Sequence, residues 1–124
     1  MNTRLSKILF LAAILATASS LAKGGVEVVE LAKIQVVRSF AGTLVDPNGD
    51  PIRDATVDEV TPDMKTVIQT VQTDESGRFK FSTRTKVATH HLLISHSGFN
   101  PLFVHVKFRR WSRKYLRLEL HLAT

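Results

Sequence analysis

Residues 66–82 read TVIQTVQTDESGRFKFS. The stretch up to Thr73 is rich in β-branched side chains and half polar, which suits a half-buried strand. Asp74-Glu75-Ser76-Gly77 follows as a hairpin-type turn. Arg78-Phe79-Lys80-Phe81-Ser82 then alternates, with both phenylalanines on one face. A strand, a tight turn and a second strand at period two set the class as β, and the rest of the chain repeats the signature.

Upstream, residues 36–45 (VVRSFAGTLV) read as one strand running into Asp46-Pro47-Asn48-Gly49-Asp50-Pro51. That run is a dense turn signal, since Pro47 fixes φ and Gly49 is free to take φ > 0. Residues 55–60 (ATVDEV) form the next strand, broken at Thr61-Pro62-Asp63. Downstream, residues 91–95 (HLLIS) end at Ser97-Gly98. Leu102, Val104, Val106 and Phe108 lie at period two. So do Leu116, Leu118, Leu120 and Leu122, separated by Arg117, Glu119 and His121, which marks a core strand with one solvated face. Seven short strands with no helix pattern predict an all-β, seven-stranded antiparallel sandwich. Its expected core is Phe40, Leu44, Val57, Phe79, Phe81, Leu92, Ile94, Val104, Val106, Leu118 and Leu120. Residues 23–35 precede it as an N-terminal linker or an extra strand, and residues 36–124 form the domain.

One layout within this pattern is specific. Phe40-x-Gly42 is followed by Asp46-x-x-Gly49-x-Pro51-Ile52-x-x-Ala55-x-Val57. Thr73-Asp74-x-x-Gly77-x-Phe79-x-Phe81 and Ser97-Gly98-Phe99 complete it. The arrangement resembles the carboxypeptidase regulatory-like domain, a transthyretin-like (prealbumin-like) β-sandwich. The resemblance implies a Greek-key topology and an accessory module, often beside a catalytic or membrane domain. It brings no catalytic residues with it.

The N-terminus reads separately. Arg4 and Lys7 precede the apolar run ILFLAAILATA at residues 8–18, and small residues follow. This is the order of a secretory signal peptide, assigned to residues 1–22. The apolar run is too short to cross about 30 Å of hydrocarbon as a helix. Removal leaves about 102 residues with a net charge of about +4. The expected destination is secreted or periplasmic, with no transmembrane segment in the mature chain. The full chain carries 17 Lys and Arg against 11 Asp and Glu, and no Cys. That excludes a disulfide scaffold, a Cys-based zinc site and a Cys-anchored lipoprotein.

Candidate chemistry concentrates late. Six of the eleven residues 107–117 are basic: Lys107, Arg109, Arg110, Arg113, Lys114 and Arg117. Trp111 and Tyr115 lie among them. Basic and aromatic side chains so mixed suit an anionic glycan or an acidic protein, with the rings stacking on a sugar. These eight residues are the expected contact surface, read as a basic C-terminal hairpin. Export argues against nucleic acid as the partner. His90, His91, His96, His105 and His121 show no metal-ligand spacing, though His105 and His121 would be neighbours if their strands paired. Asp46-x-Asn48-x-Asp50 copies the start of a calcium loop but lacks its later ligands. No nucleophile elbow is present. The sequence therefore predicts a non-catalytic binding or structural module without a cofactor. A small-ligand carrier of transthyretin type stands as the alternative, with a hydrolase or metal-binding protein behind it.

Overall fold

A computed structural model describes residues 21–23 and 26–123. The leader assigned to residues 1–22 lies outside the described residues except for Leu21 and Ala22, which open a short strand. The strands are β1 (Leu21–Lys23), β2 (Val26–Val37), β3 (Ala41–Val45), β4 (Thr56–Val60), β5 (Val67–Gln72), β6 (Arg78–Lys80), β7 (His90–Ser95), β8 (Leu102–Phe108) and β9 (Leu116–Glu119). A six-stranded sheet runs β1-β2-β8-β7-β4-β5, and a three-stranded sheet runs β9-β3-β6. No helix among the described residues is long and apolar enough to cross a membrane.

The sandwich follows from strand parity. Val57, Leu92, Ile94, Leu102, Val104 and Val106 of the large sheet share one core with Leu44, Phe79, Leu116 and Leu118 of the small sheet. Phe81 and Leu120 join them just beyond their strands. Of the expected core, Phe40 alone is only half-buried, and it packs against the cluster's edge. A second, smaller cluster of Val28, Val60 and Phe103 lies apart from the main core.

Four features differ from the sequence reading. Residues 36–45 are not one strand. The chain bends at residues 38–40, leaving Val37 in the large sheet and starting β3 in the small one. Residues 23–35, read as a linker or an extra strand, fall largely in β2, and the difference is that β2 pairs parallel with β8. The second parallel pair is β9 with β3, while the remaining pairings are antiparallel as expected. Consequently β8 and β9 do not form a hairpin. Both edges of β8 are already taken, by β2 and β7, so the chain crosses to the open edge of β3. Finally, Leu122 is 61% exposed, because β9 ends at Glu119 and the chain leaves the sheet to bridge Phe99.

The family-like motif residues work as turn locks. Asp46 accepts the N–H groups of Asn48 and Asp50 on one carboxylate oxygen, each at 2.9 Å. Asp74 does the same for Ser76 and Arg78, at 2.8 and 3.0 Å. The Asp46 carboxylate that suggested a calcium loop is thus engaged by backbone. Buried Thr73 donates to the Ile52 carbonyl at 2.7 Å and accepts from Ala55 N–H at 2.9 Å, tying the 52–55 segment to the end of β5.

Gly49 and Gly77 both sit at positive φ, +85° and +73°. A side chain at Gly49 would meet nothing, whereas one at Gly77 would lie 2.4 Å from the Leu44 carbonyl oxygen. Gly49→Ala should therefore cost about 1–2 kcal/mol of backbone strain alone. Gly77→Ala carries the same strain plus the clash, so its thermal midpoint should fall further. Equal midpoints would count against this close approach.

Candidate functional site

The crossover between β8 and β9 carries most of the expected contact residues, and the sequence pins it at several points. Buried Ser112 donates through Oγ to the Val36 carbonyl at 3.0 Å and accepts from Lys114 N–H. Arg109 N–H donates to Val37, and Arg38 N–H donates to Lys114. Lys114 Nζ donates to Gln35 Oε1 at 2.8 Å. Arg38 reaches the Arg110 carbonyl at 3.1 Å and so adds a cation that the sequence reading did not include. The segment is held in shape before any ligand arrives.

Arg109, Arg110, Arg113 and Lys114 are exposed there. None of them pairs with an acidic side chain among the described residues. Trp111 is 75% and Tyr115 64% exposed, so neither ring is packed over the sandwich end. Tyr115 also borders a shallow cleft with Phe79 and Lys80. The remaining two residues diverge. Lys107 alternates with inward Val106 and faces outward from the large sheet, while Arg117 alternates with Leu116 and Leu118 and faces outward from the small one. The eight residues therefore form a crossover patch with one outlier on each sheet.

Arg109 also borders a cleft of about 460 Å³ with Arg84, Lys86, Val87, His90 and Phe108. At its floor lies a buried polar network that sequence reasoning missed. Glu59 is 1% and His90 2% exposed, and His90 Nδ1 stands 2.8 Å from Glu59 Oε2. Gln69 Nε2 donates to Glu59 Oε1 at 2.8 Å and to the Thr83 carbonyl at 2.7 Å. Thr85 Oγ1 donates to Glu59 Oε2 at 2.8 Å. Burial pushes the Glu59 carboxyl up, but the hydrogen bonds from Gln69, His90 and Thr85 outweigh it and hold it below the ordinary carboxylate range. The His90 ring packs against Phe40 and Phe108, each centroid 4.8 Å away. The missed signal was parity: Glu59 shares the inward face of Val57, and His90 that of Leu92 and Ile94.

The histidines pair differently from the expectation. His121 stands exposed, 3.7 Å from Glu119. His105 instead faces His91 across β7 and β8, Nδ1 to Nδ1 at 2.8 Å, and its Nε2 donates to Glu30 Oε2 at 2.7 Å. Burial pushes the His91 imidazole down, and His105 adds to it. His91 therefore favours the neutral form in the fold. No group of three or more His, Asp or Glu suited to a metal occurs among the described residues.

These two shifts give a pH profile with a definite sign. Both groups bind protons more weakly when folded than when unfolded, so stability rises with pH in each window. The His91 contribution is complete above about pH 6.5 and lost as pH falls through the lower folded value. The Glu59 contribution is complete above about pH 4.3 and lost on further acidification. Urea midpoints should thus decline in two stages. His91→Gln should flatten the first and Glu59→Gln the second.

Comparison with known proteins agrees with this architecture. The profile of the carboxypeptidase regulatory-like domain matches residues 39–119. No curated protein matches the sequence. Among solved structures, 3-chlorocatechol 1,2-dioxygenase from Rhodococcus opacus 1CP is similar at 14% identity and a TM-score of 0.44, over 72% of this chain and 65% of that one. Catechol 1,2-dioxygenase from Pseudomonas arvilla C-1 is similar at 14% identity and a TM-score of 0.46, over 87% of this chain and 62% of that one. This chain thus spans somewhat less than two thirds of either enzyme, and neither likeness bears on its chemistry. Strands β3 to β9 coincide with the family's span, and the chain belongs to the carboxypeptidase regulatory-like domain family.

Proposed function

We propose that this protein is an exported, non-catalytic binding module that takes an anionic glycan of the cell envelope on its β8–β9 crossover. The carrying observation is the pairing of two exposed rings, Trp111 and Tyr115, with cations that have no acidic partner among the described residues. Aromatic faces stack on sugar rings, and guanidinium groups take acidic substituents in bidentate geometry. An acidic protein offers the cations a match but gives the two rings less to do. Export rests on the N-terminal sequence pattern.

Co-sedimentation of the mature protein with cell-envelope material across a salt series tests the reading. Pelleting should be strong at low salt and fade as ionic strength screens the contact. An Arg109→Ala/Arg110→Ala/Arg113→Ala variant should stay in the supernatant, and Trp111→Ala should weaken pelleting without changing its salt slope. Absence of pelleting at low salt would sink the proposal. Pelleting that survives glycan digestion but not protease would assign the patch to an acidic protein instead.

A further inference from the structure

The cleft beside His90 contains a feature unlike the rest of the surface. His90 is buried, yet it borders the cleft. Its Nδ1 is committed to Glu59, with Thr85 Oγ1 3.3 Å away. Its Nε2 has no hydrogen-bond partner among the described residues. A buried polar atom left unpaired is costly, and the cleft is where a partner can enter.

The chemistry of that partner follows from the charges. Glu59 is held ionised and only accepts, so the Nδ1 proton stays on the side facing it. Nε2 then offers a lone pair on the neutral ring and an N–H on the imidazolium. Arg84, Lys86 and Arg109 border the same cleft, and none pairs with an acid among the described residues. Three cations favour an anion, and an anion favours the N–H form of Nε2. The Glu59 and His90 charges then cancel, leaving the three cations to neutralise the ligand. Phe108, with the Arg84 guanidinium 5.2 Å above its ring, and Val87 give the cleft apolar wall for a sugar-sized body.

We infer that this cleft binds an oxyanion-bearing end group, carboxylate or phosphate, on a sugar-sized molecule, with His90 Nε2–H as the deep donor and Arg84, Lys86 and Arg109 around it. The inference rests on the anionic-glycan reading and names the part of the ligand that enters the fold. The charged and titratable groups around His90 are Glu59 from β4, Arg84 and Lys86 from the segment before β7, Arg109 after β8, and the adjacent His91.

Titration of the protein with glucuronate, inorganic phosphate and glucose, followed by NMR of the histidine ring signals, tests it. Glucuronate, phosphate or both should shift the His90 ring and the amides of residues 84–90 and 108–109, and glucose should not. A response to glucuronate alone assigns the carboxylate on a sugar, and a response to both assigns oxyanions generally. His90→Gln keeps a donor for Glu59 but places no ring N–H in the cleft. It should bind about tenfold more weakly. Arg84→Ala/Lys86→Ala alters only exposed side chains and should bind about tenfold more weakly while folding normally. No shift with either anion overturns the inference, as does unchanged binding in both variants. His90→Gln should pellet with envelope material less strongly but still pellet, because the crossover cations and rings remain in place. Lost acid binding with pelleting retained therefore isolates the cleft, and the reverse isolates the crossover.

Discussion

Replacing His90 with Leu should lower the unfolding free energy by about 3–5 kcal/mol. The reason is what the substitution leaves behind. Glu59 is 1% exposed and held ionised by three side-chain donors. Removing one donor strands a charge in the core, and losing half of a buried pair is worse than losing all of it. The double variant Glu59→Met/His90→Leu should therefore recover much of the loss, even though it removes more native contacts. Urea unfolding of the wild type, both single variants and the double variant forms the test cycle. A His90→Leu midpoint close to wild type would mean that Glu59 reaches water or takes up a proton at neutral pH. A double variant that loses as much as the sum of the singles would mean that the two groups are not coupled and that no stranded charge underlies the His90→Leu loss.

Leu118→Ala should cost about 2–5 kcal/mol. Leu118 sits opposite Leu44 in the parallel β9–β3 pair, is 3% exposed, and belongs to the cluster that joins the two sheets. Truncation leaves a cavity between the two sheets beneath the edge strand β9, where Leu118 packs into the shared core. Leu122→Ala provides the contrast within the same stripe. At 61% exposure it should change stability by less than about 0.5 kcal/mol. Similar losses at both positions would show that the strand continues past Glu119.

These two leucines mark the reach of sequence reading in this chain. Alternation placed Leu116, Leu118 and Leu120 inward because side-chain direction along a strand is purely local. It extended the same rule to Leu122, where the ladder that enforces the rule has already ended. Strand partners are less legible. The sequence showed β8 and β9 as neighbours joined by a basic segment, but which edge β9 meets depends on β2 and β7 occupying both sides of β8. The contact surface was legible as composition and not as geometry, so Lys107 and Arg117 appeared continuous with a patch from which the sheets separate them. Glu59 and His90 were visible as inward-parity residues. Each stands beside a residue of its own kind, Asp58 or His91, so composition shows a polar pair and not which member of it turns inward.

Strand β2 has a consequence for how the protein comes to be folded. It lies outside the family's span, and its partner β8 lies near the other end of the chain. Synthesis runs from the N-terminus, so β2 is made well before β8, and beyond its short pairing with β1 it waits for that partner. Closing so long a loop is slow compared with forming the β4–β5 or β7–β8 pairs. For that interval the nascent chain carries a β-rich ribbon whose β8-facing edge is open, which other chains could join edge to edge. Glu27, Glu30 and Lys33 interrupt its apolar run and act as gatekeepers against that fate.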